Sequence, residues 1–161
     1  MENLRIEYIP VNGLNEYENN ARKHEETDVH AIARSIEEFG FSDPIGIWSK
    51  DNIIVAGHGR YLAALELGLE EVPCIRLDHL SDEERRAYAL AHNKTAELSG
   101  WDFAKLEEEL SDLEGLLNMK DFGFEEAGEI HNIDDLFVDA PEKEKEPKQI
   151  QCPHCGEWFE A

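Results

Sequence analysis

Basic residues are scarce in this chain. Fifteen lysines and arginines stand against 37 aspartates and glutamates, and the formal net charge is −22. The deficit is spread over the whole length, with a net of −9 over residues 1–100 and −13 over residues 101–161. Such a surface repels phosphate backbones over about a Debye length, ~8 Å at physiological salt. It therefore argues against a basic face that binds nucleic acid non-specifically. Any contact with DNA is expected to be local or to pass through a protein partner. Cysteine is nearly absent too: there are three, an odd number, which excludes a secreted disulfide scaffold. Cys74, inside the apolar run VPCIRL, reads as a small core residue. No apolar run approaches membrane-spanning length, and the start MENLRIEYIP lacks the basic and apolar regions of a signal peptide. These absences lead to the expectation of a cytoplasmic protein without a membrane partner. No internal repeat is visible.

What is present fits one compact domain with an appendage, at 161 residues and 41% hydrophobic content. LRIEYIPV (4–11) has strand character, and the Asn-rich stretch 12–26 reads as loop. Val29, Ile32, Ala33, Ile36 and Phe39 recur at helical spacing, with Thr27 as the expected N-cap and Gly40 as the stop. PIGIW and NIIVAG are short β-rich runs joined by the turn SKDN, a hairpin pattern. A helix over RYLAALELG, a strand over VPCIRL and a longer helix over 80–98 follow, the last opened by a Ser81/Glu84 capping box. A further helix is expected over WDFAKLEEELSDLEGLL, capped by Asp102, with Phe103, Leu106, Leu110, Leu113 and Leu117 on one face. The order predicts an α+β domain, a small mixed sheet with helices packed on it, over residues 1–118. Residues 119–149 read as an acidic extension and solvated linker, with a weak apolar element at 133–138. Residues 150–161 form a tail with a CxxC pair.

The segment VAGHGRYLAALELG carries the first chemical signal. A strand delivers the chain to Gly57, and the helix over RYLAALELG follows the Gly57-His58-Gly59 turn. Gly57 and Gly59 permit unusual dihedrals and close approach. The unpaired N–H groups and positive dipole end of the helix make a ready anion site, and Arg60 adds a fork suited to phosphate oxygens. His58 is a candidate phosphate donor when protonated, or a proton-transfer group. The segment lacks the third glycine of the dinucleotide fingerprint and the Gly-Lys-Ser/Thr of a P-loop. A tight turn with Arg60 held by an acidic neighbour is an equal alternative on spacing alone. Two other segments add polar groups: Asn20 and Arg22 in ENNARKH, and Asn93 and Lys94 beside His92 in LAHNKTAE.

Taken together, NNAR, SIEEFGFSDPI, IIVAGHGRYLAALELGLEEVPCI and LAHNKTAE resemble the N-terminal domain of ParB proteins, in the ParB/sulfiredoxin-like fold. The resemblance covers residues 5–118. It is greatest to the version found in phages and mobile elements, often fused to or encoded near DNA methyltransferases. It implies a nucleoside triphosphate, CTP or ATP, held with Mg²⁺ by the Gly57-His58-Gly59-Arg60 turn and the Asn20-Ala21-Arg22 loop. Asn93 matches the asparagine of the family's later Glu-Asn segment, while His92 stands where that segment has its glutamate. Sulfiredoxins carry a reactive cysteine in the same turn; here the position is His58, so sulfiredoxin activity is rejected. The helix-turn-helix and dimerisation regions of a full partition protein are also missing.

The tail contains Cys152-Pro-His-Cys155-Gly, a knuckle pattern that suits Zn²⁺. One knuckle supplies two of the four ligands that a structural zinc needs. His131 or a second chain sharing the ion in a homodimer would complete it; a tail with two reduced thiols is the alternative. Three functions follow. The first is a nucleotide-binding ParB-like module in DNA processing or modification, acting on a phage protein or DNA methyltransferase as partner. The second is a ParB-like nuclease or NTPase with His58 as the catalytic acid or base. The third is an acidic interaction adaptor accompanying a methyltransferase.

Overall fold

The computed structural model describes residues 4–124, 149–151 and 158–160. Contacts divide the chain into two units, Met1–Ala127 and Gly128–Ala161.

In the first unit, β1 (Ile6–Pro10) leads through a 3-10 turn (Val11–Gly13) and a loop to α1 (Glu26–Phe39). Then come β2 (Ile45–Trp48), β3 (Ile53–Ala56), α2 (His58–Glu66), β4 (Glu71–Arg76), α3 (Asp82–Ala96) and α4 (Phe103–Asp112). The sheet order is β1-β4-β2-β3. β1 runs antiparallel to β4 and β2 antiparallel to β3, whereas β2 and β4 are parallel. The parallel pair needs a crossover, and β3 with α2 provides it. The fold is thus the α+β arrangement expected, with a mixed sheet. Its core is made by Ile45, Ile47, Ile54, Val72 and Cys74 from the strands, joined by Val11, Leu14 and Ala64. The hairpin turn takes two positive-φ residues, Ser49 and Asn52. Asp78 accepts the Ser49 N–H at 2.7 Å and holds that turn to the strand end beyond β4.

Three boundaries differ from the sequence reading. The N-cap of α1 is Glu25, not Thr27; the Glu25 N–H donates to Asp28 Oδ2 at 3.3 Å, which places Thr27 inside the first turn. α2 begins at His58, directly on Gly57. α4 ends at Asp112, and Gly115 takes φ +80, so Leu117 lies outside it. None of the α4 residues is buried, so its apolar stripe is not a core face. By contrast, Ser81 and Glu84 form the expected box at α3, and Asp102 accepts the Lys105 N–H at 3.4 Å. A short 3-10 helix, Met119–Phe122, packs on α1, with Phe39 and Phe122 ring centroids 5.4 Å apart. The first unit therefore continues past residue 118.

In the second unit, β5 (Gln149–Gln151) and β6 (Trp158–Glu160) pair antiparallel, Ile150 opposite Phe159. Residues 125–148, with His131 and the 133–138 element, and the pair Cys152 and Cys155 lie outside the described residues. Among the described residues no helix is long and apolar enough to cross a membrane.

Candidate anion pocket at the start of helix α2

β3 ends in the buried pair Val55 and Ala56 and hands the chain to Gly57, whose φ of +96 is open to glycine at little cost. That dihedral turns the chain sharply into α2. No side chain caps this helix end, and its first turn carries no acidic residue. Its leading N–H groups are therefore offered to the space in front of them. A pocket of about 180 Å³ lies there. Asn20, Arg22, Gly57, His58, Gly59, Arg60 and Asn93 all line it. The three separated segments singled out in the sequence thus meet at one place. Lys94 does not join them: its side chain is 70% exposed and its Nζ lies 2.9 Å from Glu97.

Each guanidinium is held by a carboxylate. Arg60 is 15% exposed, pairs with the Asp43 carboxylate and donates to the Asp43 backbone oxygen at 2.8 Å. It lies so close over Gly57 that a Cβ there would be 3.0 Å from its Nε and Nη2. Asp43 itself is 76% exposed, so a competing anion can displace its side chain while the backbone bond keeps Arg60 in place. Arg22 donates to Glu97 at 2.8 Å, and both are largely exposed, a pairing of small net strength. The Asn20 side chain brackets Arg22, accepting its N–H and donating to its C=O, each at 3.2 Å. Asn93 donates to the Ala89 carbonyl at 3.0 Å.

The histidines behave differently from a charged phosphate donor. Burial, then the neighbouring His24, lowers the pKa of His58 from 6.5 to about 4, so the ring is neutral near pH 7. Its Nε2 accepts the Tyr17 N–H at 3.4 Å, which leaves the proton on Nδ1. Of the two roles offered for His58, a protonated phosphate donor or a proton-transfer group, the first needs a charge that the ring does not carry near pH 7. His24 is also lowered, by burial and then by Arg22. Cys74 sits buried on β4, its thiol pushed up by burial to about 11, so it offers no thiolate near neutral pH.

Two residues, His24 and Arg85, went unseen in the sequence. His24 lines the pocket, and a Cβ on Gly59 would approach its ring to 3.0 Å. Its position two residues beyond Arg22 was the available signal. His92, noted in the sequence beside Asn93, lines the pocket as well. Arg85, buried on α3, does not line the pocket, but it stacks on the ring of Tyr17, whose N–H donates to His58. Among the described residues no three carboxylate, histidine or cysteine groups gather as a metal site.

The sequence profile of the ParB N-terminal domain matches residues 1–94. The chain belongs to the ParB N-terminal domain family. YnaK of Escherichia coli (strain K12), described as a ParB-like nuclease domain-containing protein, is 42% identical over 85 residues, 53% of this chain and 97% of that one. Among solved structures, this ParB N-terminal domain is similar to the C-terminally truncated chromosome-partitioning protein ParB from Caulobacter crescentus, complexed with CTP-γ-S. The TM-score is 0.60 at 24% identity, over 75% of this chain and 66% of that one, a little under two thirds of its length. Sulfiredoxin from Arabidopsis thaliana is a more distant neighbour, with a TM-score of 0.44 at 23% identity over 53% of this chain and 97% of that one.

Proposed function

We propose that this ParB N-terminal domain binds a nucleoside triphosphate, CTP or ATP, with its phosphates at the start of α2. It serves as a nucleotide-dependent module in DNA processing or modification. The observation that carries the reading is the uncapped end of α2 facing a pocket that two arginines and two asparagines also line. Backbone N–H groups and the helix dipole supply sequence-encoded positive potential, and Arg60 and Arg22 supply directed donors. The crystallised C. crescentus relative held CTP-γ-S, which supports a nucleotide as the ligand. Among the described residues no carboxylate cluster stands ready, so Mg²⁺ would be held chiefly by the phosphates, with Asp43 and Glu97, the partners of Arg60 and Arg22, as acids that ligand exchange would free. His58, neutral and engaged through Nε2, supports binding rather than hydrolysis. The partner that reads the bound state is a protein, with a phage protein or DNA methyltransferase as the proposed class. Zn²⁺ at Cys152 and Cys155, shared between two chains, is a separate proposal for the tail; metal analysis of protein purified without chelator tests it.

Calorimetric titration with CTP, ATP and GTP in the presence of Mg²⁺ tests the nucleotide reading. One triphosphate is expected to bind wild type, and Arg60→Ala to weaken it roughly tenfold to a hundredfold, the worth of a charge-assisted hydrogen bond. No binding of any triphosphate by wild type sinks the proposal. Steady phosphate release that disappears in His58→Ala would replace it with an enzyme.

A further inference from the structure

We infer that Arg85 is a positioning residue for this pocket, acting through Tyr17 rather than by touching a ligand. The inference rests on the nucleotide-binding reading above. Arg85 opens the inner face of α3 and is 8% exposed. Its guanidinium lies between two rings, 4.7 Å from the centroid of Tyr17 and 4.7 Å from that of Trp48. Asp82 pairs with its Nη2 at 2.6 Å. Trp48 is itself fixed, its Nε1 donating to the Leu80 carbonyl at 2.9 Å. The sandwich therefore has one anchored ring and one ring carried by a loop.

The loop ring matters because of the Tyr17 backbone. Its N–H donates to His58 Nε2, and its C=O accepts the Asn20 N–H at 2.9 Å. Asn20 in turn brackets Arg22. A single stacked arginine thus fixes the residue on which both the His58 ring and the Asn20–Arg22 side of the pocket depend. Stability alone does not explain it. Arg85 Nε is buried with no hydrogen-bond partner among the described residues. An unbranched apolar side chain would fill the slot without that cost, since buried ion pairs replaced by packed apolar groups are often neutral in stability. A planar cation between two rings, however, sets the orientation of the loop ring in a way that a flexible thioether does not.

Three variants test this, using the full chain and Mg²⁺ with CTP and with ATP as probes. Arg85→Met is expected to keep a wild-type melting temperature to within a few degrees and to bind about tenfold more weakly, because small misplacements of contact groups cost that order. The His58 ring ¹⁵N resonances should move from the Nδ1–H form toward an average of both tautomers. Tyr17→Ala should share both effects, and Tyr17→Phe, which keeps the ring, should restore them. A folded Arg85→Met with wild-type affinity and unchanged His58 resonances overturns the inference. Where Arg85→Met does not fold, Tyr17→Ala with wild-type affinity overturns it equally. Where wild type binds neither triphosphate, the nucleotide reading fails, and the His58 tautomer alone decides whether Arg85 positions the pocket.

Discussion

His58 carries the clearest residue-scale consequence. Its folded pKa lies near 4 and its unfolded value is the ordinary 6.5, so the unfolded chain takes up the proton first as pH falls. Above pH 6.5 neither state is protonated there and the group contributes nothing. Between 6.5 and 4 the folded state loses stability, and below 4 the loss levels off. The span corresponds to roughly 3 kcal/mol at full effect, reached only below pH 4. His58→Gln keeps an acceptor oxygen where Nε2 accepts the Tyr17 N–H, but it does not titrate. Urea unfolding at about pH 7 and about pH 5 should show wild type losing roughly 2 kcal/mol more than His58→Gln. Parallel pH profiles would mean that His58 does not set this dependence. At this scale, the sequence made legible those pocket residues whose types announce phosphate chemistry: Gly57, Gly59, Arg60, Arg22 and Asn93. The state of His58 was not legible, because neutrality comes from burial under a loop forty-one residues earlier in the chain. Arg85 escaped for the same reason, since its two rings come from segments distant in sequence.

At the scale of elements, the pocket depends on how closely α1 approaches α2. Gly59 makes that approach possible: a Cβ there would stand 2.9 Å from Ile32 Cδ1 and 3.0 Å from the His24 ring. Two effects oppose each other in Gly59→Ala. Alanine gains up to about 1 kcal/mol of helix propensity, less in a first turn. Displacing Ile32 and tilting His24 costs about 1–3 kcal/mol. The ring is the stiffer obstacle, so net destabilisation of about 1 kcal/mol is expected, with a larger loss in triphosphate affinity because His24 tilts into the pocket. Thermal unfolding and titration on the same variant check both parts; a higher melting temperature with unchanged affinity would show that the helices part freely. The element order was legible because the core strands are short apolar runs and the helices repeat every three to four residues. Boundaries were less so. Thr27 has cap chemistry, yet the reciprocal partner it needs is absent, and Asp28 answers Glu25 instead. The stripe from Leu106 to Leu117 promised a longer helix, but a stripe with no burying partner does not carry α4 past Asp112.

At the scale of the whole molecule, the pocket gathers anion donors, two arginines and an uncapped helix end, in a strongly negative protein. The contrast separates two ligands that share phosphate chemistry. In the proposed binding mode a triphosphate would place its charges beside Arg22, Arg60 and the α2 N–H groups, inside one Debye length of them. A duplex extends well beyond that distance and meets the acidic surface of a chain at −22. The local donors cannot offset that repulsion, because affinity for duplex grows with the number of phosphates neutralised, and few cations are available. Fluorescence anisotropy with a short duplex of arbitrary sequence should therefore register no micromolar binding by this chain alone at physiological salt, with or without triphosphate. Duplex binding that weakens as salt rises, with the slope of counterion release, would refute this and make the domain a DNA reader in its own right. Its absence, with triphosphate binding intact, leaves recruitment through a protein partner as the route by which a nucleotide switch on so acidic a molecule reaches DNA.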